Sequence, residues 1–190
     1  MKLRVIALAL AVTFAASAAS AASISLFFDP AGTDCDYTVP ALYTPVNMYV
    51  MAVLGGPSAG GMTGAEFRIL NWPTNWFANI TASPAANTVL GNLWTGANIA
   101  FPGCQPGAGG LVLLYSVSGF ATTAEPETYL TVTQHYTPSN PNFPCPLLVL
   151  CDAPVYTKVC VSGGVAILNG RSCQIGVQPT SWSHVKGLYN

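Results

Sequence analysis

The segment Asn47-Met48-Tyr49-Val50-Met51-Ala52-Val53-Leu54-Gly55-Gly56-Pro57-Ser58-Ala59-Gly60 decides the fold. Its first eight residues are apolar on both alternating faces, the pattern of a strand covered on two sides. Gly55-Gly56-Pro57 then ends the strand. The last five residues match the Gly-x-Ser-x-Gly turn of a serine hydrolase, with Asp152 and His184 following in the order Ser, Asp, His. That motif requires a strand before Ser58 and a helix after it. The strand is present, but Gly61-Met62-Thr63-Gly64 leads into another strand-like run, Ala65–Leu70. Pro57 also restricts the tight turn the motif requires. The segment therefore reads as a glycine-rich loop between two strands, with no catalytic residue assigned.

Outward from this point the chain repeats the same pattern. Further candidate strands are Ile24–Phe28, Asn98–Phe101, Leu111–Ser118, Thr128–Gln134, Leu147–Leu150, Val155–Val161, Val165–Leu168 and Cys173–Val177. Thr128–Thr133 alternates only partly, as on a half-exposed strand. Turns are marked by Pro106-Gly107-Ala108-Gly109-Gly110, Asn140-Pro141, Ser162-Gly163-Gly164 and Asn169-Gly170. Asn169-Gly170 is the best local hairpin signal, since that pair readily takes positive φ. One short segment has helical spacing, Ser181–Tyr189. Trp182, Val185 and Tyr189 share a face there, and Thr180 or Ser181 caps it. About ten short strands with almost no helix predict an all-β fold: an antiparallel β-sandwich, immunoglobulin-like or jelly-roll, with a short C-terminal helix.

The amino terminus reads as an export signal. Lys2 and Arg4 precede an apolar run, Val5 to Ala16, broken only by Thr13. Ala16-Ser17-Ala18 and Ser20-Ala21-Ala22 both offer small residues for cleavage, so the site falls between Ala18 and Ala22. The run is shorter than the ~20 residues a spanning helix needs, and no later stretch is long enough. The expected organisation is a signal peptide, 1–22, and one β-sandwich domain, 23–190. Cleavage leaves Arg68, Lys158, Arg171 and Lys186 against seven acidic residues. A chain that is only 7% charged, where a quarter is usual, carries no basic footprint for nucleic acid. Its surface is neutral and amide-rich, suited to polymers, sugars or copies of itself. The expected location is secreted, periplasmic or at the cell surface.

Six cysteines follow the signal: Cys35, Cys104, Cys145, Cys151, Cys160 and Cys173. An even count in an exported chain predicts three disulfides. No pair has the short gap of a zinc site. If Leu147–Leu150 is a strand, Cys145 and Cys151 lie ~20 Å apart and cannot bond to each other. A hairpin turning at Asp152-Ala153-Pro154 sets Cys145 opposite Cys160. Cys151–Cys173 and Cys35–Cys104 then follow by elimination.

Three groups of residues invite a binding role. Asp29, Asp34 and Asp36 supply hard oxygens suited to calcium, or else close an Asp/Gly turn on local backbone. Trp72, Trp76 and Trp94 lie with Phe77 among Asn71, Asn75 and Asn79, as on sugar-binding faces, where rings stack and amides bond hydroxyls. The competing reading has these rings covering the end of the sandwich. Glu125 and Glu127 flank Pro126 in a loop, and His135 and His184 have no evident partner.

The tail Trp182-Ser183-His184-Val185-Lys186-Gly187-Leu188-Tyr189 resembles the Trp-x-x-Val-Lys-x-Leu-Tyr ending of a group of uncharacterised small secreted bacterial proteins. Pro144–Pro146, Cys151–Pro154 and Asn169-Gly170 match the same group. The resemblance covers the last third of the chain. It implies export from a bacterium and transfers no functional residue. The resulting expectation is a non-enzymatic structural or adhesive protein, without a cofactor, that contacts its own copies or an envelope polysaccharide. A carbohydrate-binding module using the Trp-rich loops is the alternative, and a secreted serine hydrolase comes third.

Overall fold

Val46–Val53, the strand quoted first, sits in the middle of one sheet of a two-sheet sandwich. A computed structural model describes residues 22–107 and 110–170. In chain order the strands are β1 (Ser23–Phe27), β2 (Asp36–Tyr37), β3 (Val46–Val53), β4 (Met62–Leu70), β5 (Trp76–Ala82), β6 (Thr88–Asn92) and β7 (Gly96–Gln105). They continue as β8 (Leu111–Ala121), β9 (Thr128–Thr133), β10 (Leu147–Leu150), β11 (Lys158–Cys160), β12 (Ser162–Gly163) and β13 (Val165–Leu168). The five-stranded sheet runs β12-β1-β3-β8-β5. The eight-stranded sheet runs β11-β10-β4-β9-β13-β2, with β7 against β4 and β6 against β7.

Pairing is antiparallel except at two short contacts. β1 runs parallel to β12, and β13 runs parallel to β2. The expected wholly antiparallel sandwich is corrected to that extent, because both parallel partners are two-residue strands reached after long excursions. Among the described residues the only helical element is a 3-10 turn at Gly56–Ser58. The expected signal peptide, 1–21 of its 22 residues, the strand at Cys173–Val177 and the C-terminal helix lie outside the described residues.

The core follows the period-2 pattern. Val46, Met48, Val50 and Ala52 of β3 meet Phe67 and Ile69 of β4, Leu130 and Val132 of β9, and Leu148 of β10. β3 is indeed covered on both sides: on its outer face Met51 is buried with Phe27 and Cys35, and Tyr49 and Val53 pack against them. β9 alternates as a half-exposed strand should, with Leu130 and Val132 inward and Tyr129 largely open.

Two strands run where a loop-rich middle was expected. β5 and β6 are poor in large β-branched residues and lie at sheet margins, where burial does not impose a strong pattern. Val155–Val161 shortens to Lys158–Cys160 because Val155 and Tyr156 belong to a turn. Both their amides donate to the Asp152 carbonyl, and Tyr156 takes φ 50°.

Cys145 bonds Cys160 across the β10–β11 hairpin, with Cα atoms 5.6 Å apart. The other two expected pairings are corrected: Cys104 bonds Cys151, not Cys35, and Cys151 is therefore not joined to Cys173. The reason is register. β7 and β10 flank β4 on either side, so the chain ends beyond them arrive together past Met62. Gly61 makes room there, since a Cβ on it would lie 2.6 Å from Cys104 Sγ. Cys35 is also disulfide-bonded.

Candidate functional site

The outer face of the eight-stranded sheet is built by alternation on β4. Ala65, Phe67 and Ile69 point into the core, so Gly64, Glu66 and Arg68 point outward. Register then lays out two cross-strand rows. In one, Glu66 has Asn98 of β7 on one side and Leu147 of β10 on the other, continuing to Leu90 of β6 and Cys160 of β11. In the next, Gly64 has Ala100 and Val149 as neighbours, continuing to Thr88 and Lys158.

Small residues at Gly64 and Ala100 sink the middle of this face, while larger chains rise at both sides. The result is an open groove of about 770 Å³ between Leu90 on one wall and Leu147, Val149 and Tyr156 on the other. That volume lies within the usual range for ligand sites. Cys104–Cys151 closes one end, and both its cysteines line the groove. Cys145–Cys160 ties down the hairpin that forms the Tyr156 wall.

Glu66 is the polar feature of the floor. It is 6% exposed, and its Oε1 accepts the Ser139 N–H at 3.0 Å. Ser139 belongs to the segment between β9 and β10, which crosses one end of the face. That segment is also held by the Tyr136 N–H on the Thr95 carbonyl at 3.0 Å. Arg68 lays its guanidinium 5.5 Å from the centre of the Tyr136 ring.

The residues singled out from the sequence are dispersed. Ser58 is fully buried and serves its own turn: its hydroxyl donates to the Gly55 carbonyl and accepts the Gly55 N–H, both at 3.0 Å. Asp152 is equally committed. Hydrogen bonds from the Thr157 hydroxyl and the Thr157 N–H hold its carboxyl below the usual range. His184 lies outside the described residues. Asp29 folds back on its loop, accepting from Ala31 N, Thr33 N, Thr33 Oγ1 and Asp34 N at 2.7–3.0 Å. Asp36 opens β2. Among the described residues no three acidic, histidine or cysteine side chains converge as metal ligands.

The tryptophans also separate. Trp76 is 9% exposed within the core, with Nε1 donating to Glu125 Oε2 at 3.1 Å. Trp72 packs against the core and meets Trp94 with ring centres 5.2 Å apart, tilted by 49°. Trp94 alone of the three is largely open, at 40%. A different aromatic patch lies on the other sheet: Phe120 stacks on Phe77 at 5.7 Å and meets Tyr43 at 5.8 Å. The sequence reading missed the groove. Its one available signal was Glu66 and Arg68, charges set inside an apolar run of a nearly uncharged chain.

No protein-family model and no curated protein matches this chain. Solved structures do. A cohesin module from a Clostridium perfringens family 33 glycoside hydrolase superposes with a TM-score of 0.52 at 10% identity, over 80% of this chain and 99% of that one. The sixth cohesin of Acetivibrio cellulolyticus scaffoldin B, solved in complex with a Cel5 dockerin, gives 0.51 at 10% identity, over 80% of this chain and 100% of that one. Likeness at this identity is a likeness of fold. The chain is a disulfide-bonded, cohesin-like, two-sheet β-sandwich.

Proposed function

We propose that this protein is a non-catalytic extracellular binding module that docks a partner protein on the outer face of its eight-stranded sheet. The observation that carries the reading is the groove between Leu90 and Tyr156, already shaped and stapled at its end and along one wall. Preformed, rigid sites bind without a large ordering cost. The cohesin-like fold and the disulfides accord with an exported protein, for which residues 1–22 are the leader and 23–190 the domain. The buried, bonded hydroxyl of Ser58 speaks against the hydrolase reading.

A photo-crosslinking residue at Thr88, on the groove side, and another at Asn47, on the opposite outer face, test this in the producing cell. Adducts with a discrete protein from position 88 and none from 47 are expected. Adducts from 47 alone would refute the assignment.

The patch of Tyr43, Phe77 and Phe120 favours self-association as a second reading. Phe77 is 67% exposed on β5, an edge strand without a charge or proline, the kind of edge that pairs with copies. Light scattering across a concentration series would show dimers that Phe77→Ser removes. An envelope polysaccharide, if bound, has Trp94 as the open tryptophan among the described residues.

A further inference from the structure

We infer that the groove takes a lysine or arginine side chain of the partner protein, with Glu66 as its anchor. This rests on the reading that the outer face of the eight-stranded sheet docks a protein, and gives that partner its chemistry.

Glu66 is a carboxylate only 6% exposed, with no cation bonded to it among the described residues. One carboxylate oxygen holds Ser139 N–H; the other takes no protein donor among them and is not sealed from the groove. A desolvated carboxylate without a cation is costly, so such groups are paired in folded proteins. The two nearest candidates on this face are committed elsewhere or exposed. Arg68 lies on the same side of β4, but its guanidinium sits over the Tyr136 ring and its buried Nε bonds no acceptor, Glu66 included. Lys158 also lines the groove, one row away opposite Val149, but it is exposed to solvent, where its charge is screened. Among the described residues neither forms an ion pair with Glu66.

The surroundings of the carboxylate narrow the cation. Calcium or magnesium takes six or more oxygen ligands, and zinc about four, mostly histidine or cysteine; a single carboxylate on an apolar floor supplies neither set. A sugar would look for an open ring to stack on; the walls directly beside Glu66 are Leu90 and Leu147, and the open ring of the groove, Tyr156, belongs to the turn after β10, beyond the Gly64 row. Lysine and arginine match instead. Their methylene stems lie along aliphatic surface while the charged head reaches a polar end. Asn98, directly across from Glu66 on β7, adds an amide carbonyl for a further N–H of that head. The floor residues Gly64 and Ala100 leave the depth such a stem needs. The site is also held in place: Cys104–Cys151 fixes the end of the groove, so little order must be created when the side chain enters.

Selection of random twelve-residue displayed peptides on the protein tests this, with the wild type, Glu66→Gln and Leu90→Asp run side by side. Glutamine accepts the Ser139 N–H as glutamate does and keeps the shape of the floor. Thermal melts should confirm that all three fold. The expected result is a set of wild-type binders with lysine or arginine fixed at one position. Their synthetic forms should bind Glu66→Gln at least tenfold more weakly. Replacing that lysine by norleucine in the peptide should cost the wild type as much, and cost Glu66→Gln little further. Binders that lack a basic position, or hold wild type and Glu66→Gln equally while Leu90→Asp abolishes them, would overturn the role of Glu66 and leave the docking face standing. No binders, or binders indifferent to Leu90→Asp, would overturn the docking face and this inference together.

Discussion

On the outer face of the five-stranded sheet, Tyr49, Met51 and Val53 lie under the loop that runs from Phe28 to Cys35. On the outer face of the eight-stranded sheet, Gly64, Glu66, Asn98 and Ala100 form the floor of an open groove. Both faces come from the same pleat and the same alternation, and differ in what the chain does about them. Where it places apolar residues outward it supplies its own roof, held by the four hydrogen bonds into the Asp29 carboxylate. Where it places a carboxylate and small residues outward, it invests in stapling the margins instead. A covered face serves stability. An uncovered but stapled one is, under the proposed function, the face that serves recognition.

The largest expected effect probes the stapling. Joint replacement of Cys104 and Cys151 by serine opens a 47-residue link and should lower unfolding free energy by about 4 kcal/mol. The same change at Cys145 and Cys160, separated by 15 residues, should cost about 3 kcal/mol. Denaturant titration of both variants reads the order, and equal small losses would break the claim that the groove face depends on its bridges. Next comes the roof. Met51→Ala should cost about 2–3 kcal/mol, as for other buried side chains, against less than about 1 kcal/mol for Val149→Ala on the groove wall. A reversed ranking would erase the distinction between a sealed and an open face.

A smaller effect is pH-dependent. Slight burial tends to raise the Asp29 carboxyl, but hydrogen bonds from Asp34, Thr33 and Ala31 outweigh it and hold the group below 3.8. A depressed folded value means that the contribution is present above the unfolded value and fades as pH falls through the folded one. Asp29→Asn should therefore unfold at lower urea than wild type at pH 6, and the gap should narrow below about pH 4. A gap independent of pH would remove the carboxylate from the account of the roof. The smallest effect is at the exposed aromatic patch, where Phe77→Ser should leave monomer stability within about 0.5 kcal/mol while weakening any self-association.

Much of the sandwich was legible in the sequence because its interior strands announce themselves. β3 and β8 are long and apolar, β9 alternates in part, and β10 and β13 are short apolar runs between turn residues. The margins were not. Trp76-Phe77-Ala78-Asn79-Ile80-Thr81-Ala82 reads as a loop by its amides, and it becomes β5 because β8 offers it seven paired positions. The Cys104–Cys151 bridge was out of reach for the same reason, since it depends on β7 and β10 both flanking β4. The hairpin bridge Cys145–Cys160 depends only on a local turn, and local geometry sufficed to propose it. The groove lay hidden because a concave face is made by neighbours distant in sequence. Only the charges of Glu66 and Arg68, set in an apolar run, marked it.

The most direct test of the central claim is amide chemical-shift mapping with a peptide selected on the protein. The account predicts that the largest changes fall on Gly64, Glu66, Leu90, Asn98 and Val149, with Tyr43, Phe77 and Phe120 unmoved. Changes concentrated on Tyr43, Phe77 and Phe120, with the groove silent, would contradict it.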